Sequence, residues 1–335
     1  MKKILTGLLV LILLGGIVAY NLFFARISVD GERFLCIDAD DTADSAMAKL
    51  DGLDAGYSHL GFDILSGLTG YAGHVRPGRY AVSRDLSTLQ LVRNLRSHRS
   101  VPVRLVVPAV RTLENLAGRL SRLIMPDSAA LIRCFTSDSV LQSLGLTRAT
   151  VVTIFIPDTY EVYWEITPQQ LVSRMQREHE VFWNADRIAK ASDAGLSPEE
   201  VYTLASIVDS ETAANAEKAR IAGLYINRLN RGMPLQSDPT VIFATGDFSI
   251  RRVTGKHLAI DSPYNTYRVR GLPPGPIRVA SVAGIDAVLN YEHNDYLYMC
   301  AKEDFSGTHN FAAGIQEHYA NARRYAAALN ARGIR

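Results

Sequence analysis

Apolar positions follow three rhythms along this 335-residue chain, and each predicts a different kind of element. From Ile4 to Phe24 the sequence is almost unbroken apolar with no charged residue. As a helix that run spans about 30 Å, the thickness of a bilayer's hydrocarbon core. Next come short stretches of period two. Ile27 to Ile37 predicts a strand with a turn at Asp30-Gly31, and His74 to Val82 a Pro-Gly turn leading into a strand. Val101 to Val107 predicts a further strand, and Tyr296 to Ala301 a buried one near the end. Between them lie helical spacings: a short piece at Ser45 to Leu50, then Asp85 to His98 with Leu86, Leu89, Leu91, Val92 and Leu95 largely on one side, then Thr112 to Leu123. Residues 124–195 read as mostly helical, broken at prolines.

The most informative rhythm begins at Ser197-Pro198-Glu199-Glu200, a strong helix start with a cap, a first-turn proline and an acid three residues after the cap. Val201, Leu204, Ala205 and Val208 then mark one apolar stripe. Glu211 continues that stripe, whereas Asp209 points to roughly the opposite side. A carboxyl facing a core loses hydration, which favours its protonated form and makes a general acid. Two other readings are open from spacing alone: a surface Glu at a helix end, or a buried Glu paired with an Arg. A second helix is predicted from Ala216 to Arg231, with Ile221, Leu224, Tyr225 and Leu229 on one face and Gly232 as its stop. Asp238-Pro239 predicts a third start with Asp238 as cap. The segments Ser262 to Tyr267 and Gly271 to Ile277 are stiff Pro- and Gly-bearing loops, and their Tyr and Asn residues suit a sugar's faces and hydroxyls.

Several motifs in this order resemble the MltG (YceG-like) family of endolytic murein transglycosylases. They are Leu204-Ala-Ser-Ile-Val-Asp-Ser-Glu-Thr212, Ile226-Asn-Arg-Leu229, Leu235-Gln-Ser-Asp-Pro-Thr-Val-Ile242, Tyr264-Asn-Thr-Tyr267, Gly271-Leu-Pro-Pro-Gly275 and Gly307-Thr-His-Asn-Phe311, with Ile156-Pro-Asp-Thr-Tyr160 upstream. The resemblance covers about two thirds of the chain well and the N-terminal third in outline. Two positions depart from it. Asp209 stands where relatives carry the first Glu of Glu-x-Glu-Thr, and Pro108-Ala109-Val110 replaces a Pro-Glu-Gly turn.

The resemblance implies an α+β chain with a single N-terminal transmembrane helix, a small LysM-like αβ module and a mixed α/β YceG-like catalytic domain. The boundaries expected are a cytoplasmic tip at 1–3, the transmembrane helix at 4–24, the LysM-like membrane-proximal module at 25–105, a mostly helical connection at 106–195 and the catalytic domain at 196–335. A purely structural spacer is the other reading of the module. Glu211 aligns with the family's catalytic acid. Gln236, Tyr264, Asn265, Tyr267 and His309 are the expected glycan contacts; Asn227 is expected to fix the Glu211 side chain, and Asp238 to cap a helix.

A glycosidase that uses water needs two carboxyl groups about the scissile bond. A lytic transglycosylase needs one, which protonates the leaving oxygen and then takes a proton from the sugar's own 6-hydroxyl, closing a 1,6-anhydro ring. The other acids near the motifs, Asp209, Glu217 and Asp238, look poorly placed for the second role, though folding could bring Asp261 or Glu303 close. The activity that the resemblance implies is endolytic cleavage of the MurNAc–GlcNAc β-1,4 bond within peptidoglycan glycan strands, on nascent strands beside peptidoglycan synthases. The alternatives are a non-catalytic wall-binding scaffold and a lysozyme-like hydrolase.

Composition narrows this further. A net charge of +2 without a long basic run argues against a nucleic-acid partner. Lys2 and Lys3 ahead of the apolar run favour a cytoplasmic N-terminus, with the body exported to the periplasmic or extracellular side of the cytoplasmic membrane. A cleaved signal peptide competes, but the run is long and no small-x-small site closes it. Cys36, Cys134 and Cys300 are odd in number and widely spaced, so they read as small buried hydrophobes. No metal and no cofactor is expected, since the eight histidines show no ligand spacing.

Overall fold

The structure is a computed structural model describing residues 2–333. It is α+β, and it divides into two units. The first comprises the chain up to Leu105 with Ser121–Asp127 and Tyr160–Thr167. It opens with α1 (Lys2–Ala19), which continues into a wider helical turn at Tyr20–Phe24. Among the described residues, Lys3–Phe24 is the one helical stretch long and apolar enough to cross a membrane. Strands β1 (Arg33–Ile37) and β2 (Gly78–Val82) pair antiparallel, Arg33 opposite Val82 and Ile37 opposite Gly78. Helices α2 (Ala43–Asp51) and α3 (His59–Leu68) lie between them in sequence, and α4 (Thr88–Arg96) follows.

Caps set these boundaries. Thr42 with Ser45 and Ser87 with Gln90 form reciprocal capping boxes, and Ser58 caps α3. The predicted helix from Asp85 therefore begins at Thr88. The predicted strand from Ile27 shortens to Arg33, because Gly31 turns the chain at φ +68°. Ile27 and Val29 are buried all the same, with Leu35, Ile37, Phe62, Tyr80, Leu91 and Leu95. Each such fully buried side chain stabilises the fold by about 1.5–3 kcal/mol. At Gly61 a Cβ would stand 2.0 Å from the Leu22 carbonyl oxygen, so only glycine lets α3 lie this close to the end of the apolar helix. A second strand pair joins β3 (Pro102–Val106) and β4 (Thr159–Tyr163).

The second unit takes Val106–Leu120, Ser128–Thr159 and the chain from Pro168 on. It starts with α5 (Leu113–Leu120), α6 (Ser128–Phe135), α7 (Asp138–Leu144), α8 (Pro168–Phe182) and α9 (Ala185–Asp193). Then come α10 (Pro198–Glu211), α11 (Asn215–Asn230), α12 (Asp238–Thr245), α13 (Gly255–Leu258) and α14 (Val282–Leu289). Strands β5 (Tyr298–Ala301) and β6 (His309–Ala312) pair antiparallel, and α15 (Ile315–Ala331) ends the unit. Val201, Leu204, Ala205 and Val208 of α10 pack with Ile221, Leu224 and Tyr225 of α11 and Ile285 and Val288 of α14. The strand predicted as buried from Tyr296 begins instead at Tyr298 and is half-exposed, since only one partner strand covers it. All three cysteines are free thiols; Cys134 is buried and the other two are half-buried.

Candidate active site

Helix α10 ends at Glu211 because Thr212 swings to extended backbone at φ −143°. Its start is as the sequence predicts: Ser197 and Glu200 cap each other's backbone N–H, and Pro198 occupies the first turn. Every residue from Val201 to Val208 is buried, so the helix is an internal strut that presents its last side chain to a cleft. That cleft, of about 200 Å³, is lined by Glu211, Tyr225, Arg228, Gln236, Asp238 and His309, with Met299, Cys300 and Ala301 of β5 along one wall.

Two neutral donors address the same carboxyl oxygen. The Tyr225 hydroxyl donates to Glu211 Oε1 at 2.7 Å, and the Ser237 hydroxyl donates to it as well. Among the described residues no hydrogen bond reaches Oε2, which leaves that oxygen as the place for a proton. Burial is the largest influence on this carboxyl and pushes its pKa up. The two hydroxyls and the charge of His309 pull it down and the Asp238 charge pushes it up, and the net direction is upward. Its position at a helix C-terminus, the negative end of the dipole, acts in the same sense. The Tyr225 hydroxyl is itself held well above its ordinary pKa by burial and by the neighbouring Glu211, so it remains a donor.

Ser237 is locked before it reaches Glu211. It is buried, its N–H donates to Thr266 Oγ1 at 3.0 Å, and its carbonyl accepts from Thr240 Oγ1 at 2.7 Å. Gln236 beside it holds φ +54°, a left-handed conformation costing a side-chained residue about 1–2 kcal/mol. The Gln236 N–H donates to the Thr266 carbonyl at 3.0 Å, and its Oε1 accepts from Arg228 at 3.2 Å. Arg228 is buried, and its other donors go to the Leu297 carbonyl at 2.6 Å, the Leu235 carbonyl at 2.9 Å and the Pro234 carbonyl at 3.2 Å. Burial lowers its pKa. It brings to the cleft a guanidinium whose hydrogen-bond acceptors, among the described residues, are all neutral. His309 sits on β6 with Nδ1 3.0 Å from Glu217 Oε1 and its backbone N–H donating to Glu217 Oε2 at 3.0 Å. That clamp occupies Nδ1 and leaves Nε2 as the ring nitrogen available to a ligand.

Of the residues named from sequence, Glu211, Gln236, Asp238 and His309 share this cleft, and Tyr267 joins its rim by donating its hydroxyl to Asp238 Oδ1 at 2.6 Å. Four placements differ from expectation. Asn265 is fully buried and gives its amide to the Leu258 and Ile260 carbonyls at 3.0 and 2.8 Å, so it shapes a loop and does not face the cleft. Asn227 donates to Asn294 and to the Tyr296 carbonyl, and Tyr225 and Ser237 do the holding of Glu211 expected of it. Asp238 is not the cap of α12: Ser237 takes the N-cap position, and Asp238 turns its carboxylate to Tyr267 as an exposed member of the cleft. Tyr264 packs on Phe243, ring centroids 4.8 Å apart, and lines a neighbouring hollow.

The remaining acids are committed elsewhere. Asp209 pairs with Lys218 at 2.7 Å and accepts from Ser281 N–H at 2.6 Å and Oγ at 2.9 Å. Glu303 binds Asn310 and Arg324, and Asp261 is exposed away from the cleft lining. Tyr225, Ser237 and Arg228 are the site residues that sequence reasoning passed over. The one available signal was Tyr225 in an apolar stripe, where a buried hydroxyl needs a partner.

Residues 35–324 match the YceG-like family. The endolytic murein transglycosylase of Bacillus subtilis (strain 168) is 40% identical over 135 residues, 40% of this chain and 37% of that protein. The endolytic murein transglycosylase of Streptococcus pneumoniae serotype 2 is 28% identical over 269 residues, 68% of this chain and 46% of that protein. The chain thus spans less than half the length of these curated relatives. The crystal structure of a yceG-like protein from Listeria monocytogenes aligns with a TM-score of 0.58 at 26% identity, covering 86% of this chain and 98% of that one. With most of its length matched, and with the acid, its donors and the cleft all inside the matched span, the chain belongs to the YceG-like family.

Proposed function

We infer that the chain is a membrane-anchored endolytic murein transglycosylase, cleaving the MurNAc–GlcNAc β-1,4 bond within glycan strands and leaving 1,6-anhydro-MurNAc ends. The observation that carries this is Glu211: a carboxyl with a raised pKa, two neutral donors on one oxygen and the other oxygen unbonded, at a cleft. The names of the relatives supply the substrate class. In the first step the Glu211 proton passes to the glycosidic oxygen as the C1–O bond breaks, so the leaving sugar departs as an alcohol. Tyr225 and Ser237 then donate to the carboxylate so formed, with the Arg228 charge nearby. That carboxylate takes the proton of the muramic 6-hydroxyl while its oxygen bonds to C1, which closes the anhydro ring and restores the acid.

The anchor is the apolar stretch Lys3–Phe24, with the N-terminus cytoplasmic and the catalytic unit on the outer side of the cytoplasmic membrane. The order β1, α2, α3, β2 supports reading the first unit as a LysM-like module that grips glycan. Action on nascent strands beside peptidoglycan synthases follows from the same reading.

A second reading is favoured by one observation: Asp238 is exposed in the Glu211 cleft, so a second carboxylate is available for water-dependent, lysozyme-like hydrolysis. Mass spectrometry of products from purified glycan strands separates the two. Ends one water lighter than a reducing sugar are expected; reducing muramic ends would transfer the assignment to the hydrolase.

A further inference from the structure

Two neighbouring hollows are lined by residues close in sequence to those of the Glu211 cleft. Ser210, next to Glu211, lines the first, and so does Pro239, next to Asp238 of the cleft. This first hollow, of about 170 Å³, is also lined by Arg111 and Arg278 with Phe243 and Phe248. The second, of about 300 Å³, shares Arg111, Arg278 and Phe243 and adds Arg148 and Tyr264. Three guanidinium groups and three aromatic rings therefore bound a two-part recess whose halves share Arg111, Phe243 and Arg278 as a wall.

None of these arginines pairs with a carboxylate among the described residues. Arg278 donates Nη1 to the Asp209 carbonyl at 3.2 Å and Nη2 to the Ala109 carbonyl at 3.0 Å, while its buried Nε has no partner. Arg111 lies 5.3 Å from the Phe248 ring centroid, and Arg148 is exposed. Two acids touch the lining. The Asp209 carboxylate is already neutralised by Lys218 and Ser281, and Glu114 is a single exposed group against three cations. A lone solvated arginine is ordinary. Three converging on a recess, one with an orphaned buried N–H, leave a charge deficit that a ligand can fill.

We propose that this recess binds the carboxylates of an acidic peptide: the stem borne by the muramic residues of the strand whose sugar lies at Glu211. The guanidinium fork matches a carboxylate with two parallel hydrogen bonds, and the aromatic walls cover the peptide's apolar side chains. The stem must pass from the cleft around the end of α10 to reach the recess, and an extended peptide advances about 3.4 Å per residue along that path. The inference rests on the transglycosylase reading for the identity of the peptide, but the recess can be tested without catalysis.

The full chain in detergent is given glycan strands that carry stems and the same strands stripped by an amidase. The wild type is expected to prefer stem-bearing strands in kcat/KM by about tenfold, the scale of one charge-assisted hydrogen bond. In the Arg111→Gln and Arg148→Gln variants, both at exposed positions, that ratio should fall toward one with the thermal midpoint unchanged. Equal cleavage of both strands by the wild type, or a ratio kept by both variants, overturns the proposal. Calorimetry on the Glu211→Gln chain with a synthetic stem peptide and its fully amidated form gives the second arm. Binding of the acid form alone, weakened in Arg148→Gln, is expected, and no binding overturns the recess. Absence of anhydro ends from any strand, with peptide binding intact, would sink the transglycosylase reading and leave the recess standing.

Discussion

Two acids stand two residues apart on one helix, and their surroundings could hardly differ more. The Asp209 side chain is 3% exposed and meets a full positive charge, a backbone N–H and a hydroxyl. These three contacts tie α10 to Lys218 of α11 and to Ser281 at the start of α14. Even a methyl on Gly284 would lie 2.6 Å from its oxygen. Glu211 meets only hydroxyls on one oxygen, and burial dominates. Helical spacing sends the two side chains to different neighbours, and the neighbours decide which becomes an anchor and which a proton donor. The shorter acid at 209 thus costs the proposed chemistry nothing, because that position is spent on structure.

The comparison can be broken in several ways. The largest effect is expected from Glu211→Gln, which keeps the shape and removes the proton: kcat should fall by about 10²–10⁴ in strand cleavage, and activity kept within tenfold would end the role given to Glu211. Asp209→Ala strands the Lys218 ammonium in the interior and should cost roughly 3–5 kcal/mol, read as a drop in thermal midpoint. The double variant Asp209→Asn, Lys218→Met should recover much of that loss, since a neutral packed pair leaves no charge behind. Tyr225→Phe deletes a donor that favours the carboxylate, so the Glu211 pKa rises further. The alkaline limb of the pH–rate profile should move to higher pH, and a limb that stays in place would mean that the Tyr225 hydroxyl does not act on this acid. A smaller effect concerns stability. Because the folded pKa of Glu211 is raised, its contribution is whole below the ordinary carboxylate range and is lost as pH climbs through the folded value. Glu211→Gln should therefore gain stability on the wild type as the pH rises, in paired denaturant melts; parallel curves would mean that burial does not weigh on this acid.

Much of this was legible in local sequence. Ser197-Pro198 marked the start of α10, and the stripe from Val201 placed Glu211 and Asp209 on different sides, because both depend only on caps and a 3.6-residue period. What escaped depends on pairings across the chain. Ser237 reaches Glu211 over 26 positions, and Lys218 reaches Asp209 across a helix break. No spacing rule carries that information. Asn265 and Asn227 were misplaced for one reason: a side-chain amide, in a loop or on a helix, is at least as useful to the unpaired carbonyls of a nearby loop as to a sugar or an acid. Asp238 falls one position inside the helix: Ser237 holds the N-cap place without a side-chain cap, its hydroxyl being given to Glu211.

One contact far from the chemistry bears on how the molecule is tethered. At Gly61 the missing side chain lets α3 rest directly on the Leu22 carbonyl, where the apolar helix ends. With a bilayer around that helix, the first unit would be welded to its mast rather than dangling from a leash. Any bulkier residue there would collide with that carbonyl and prise the joint open.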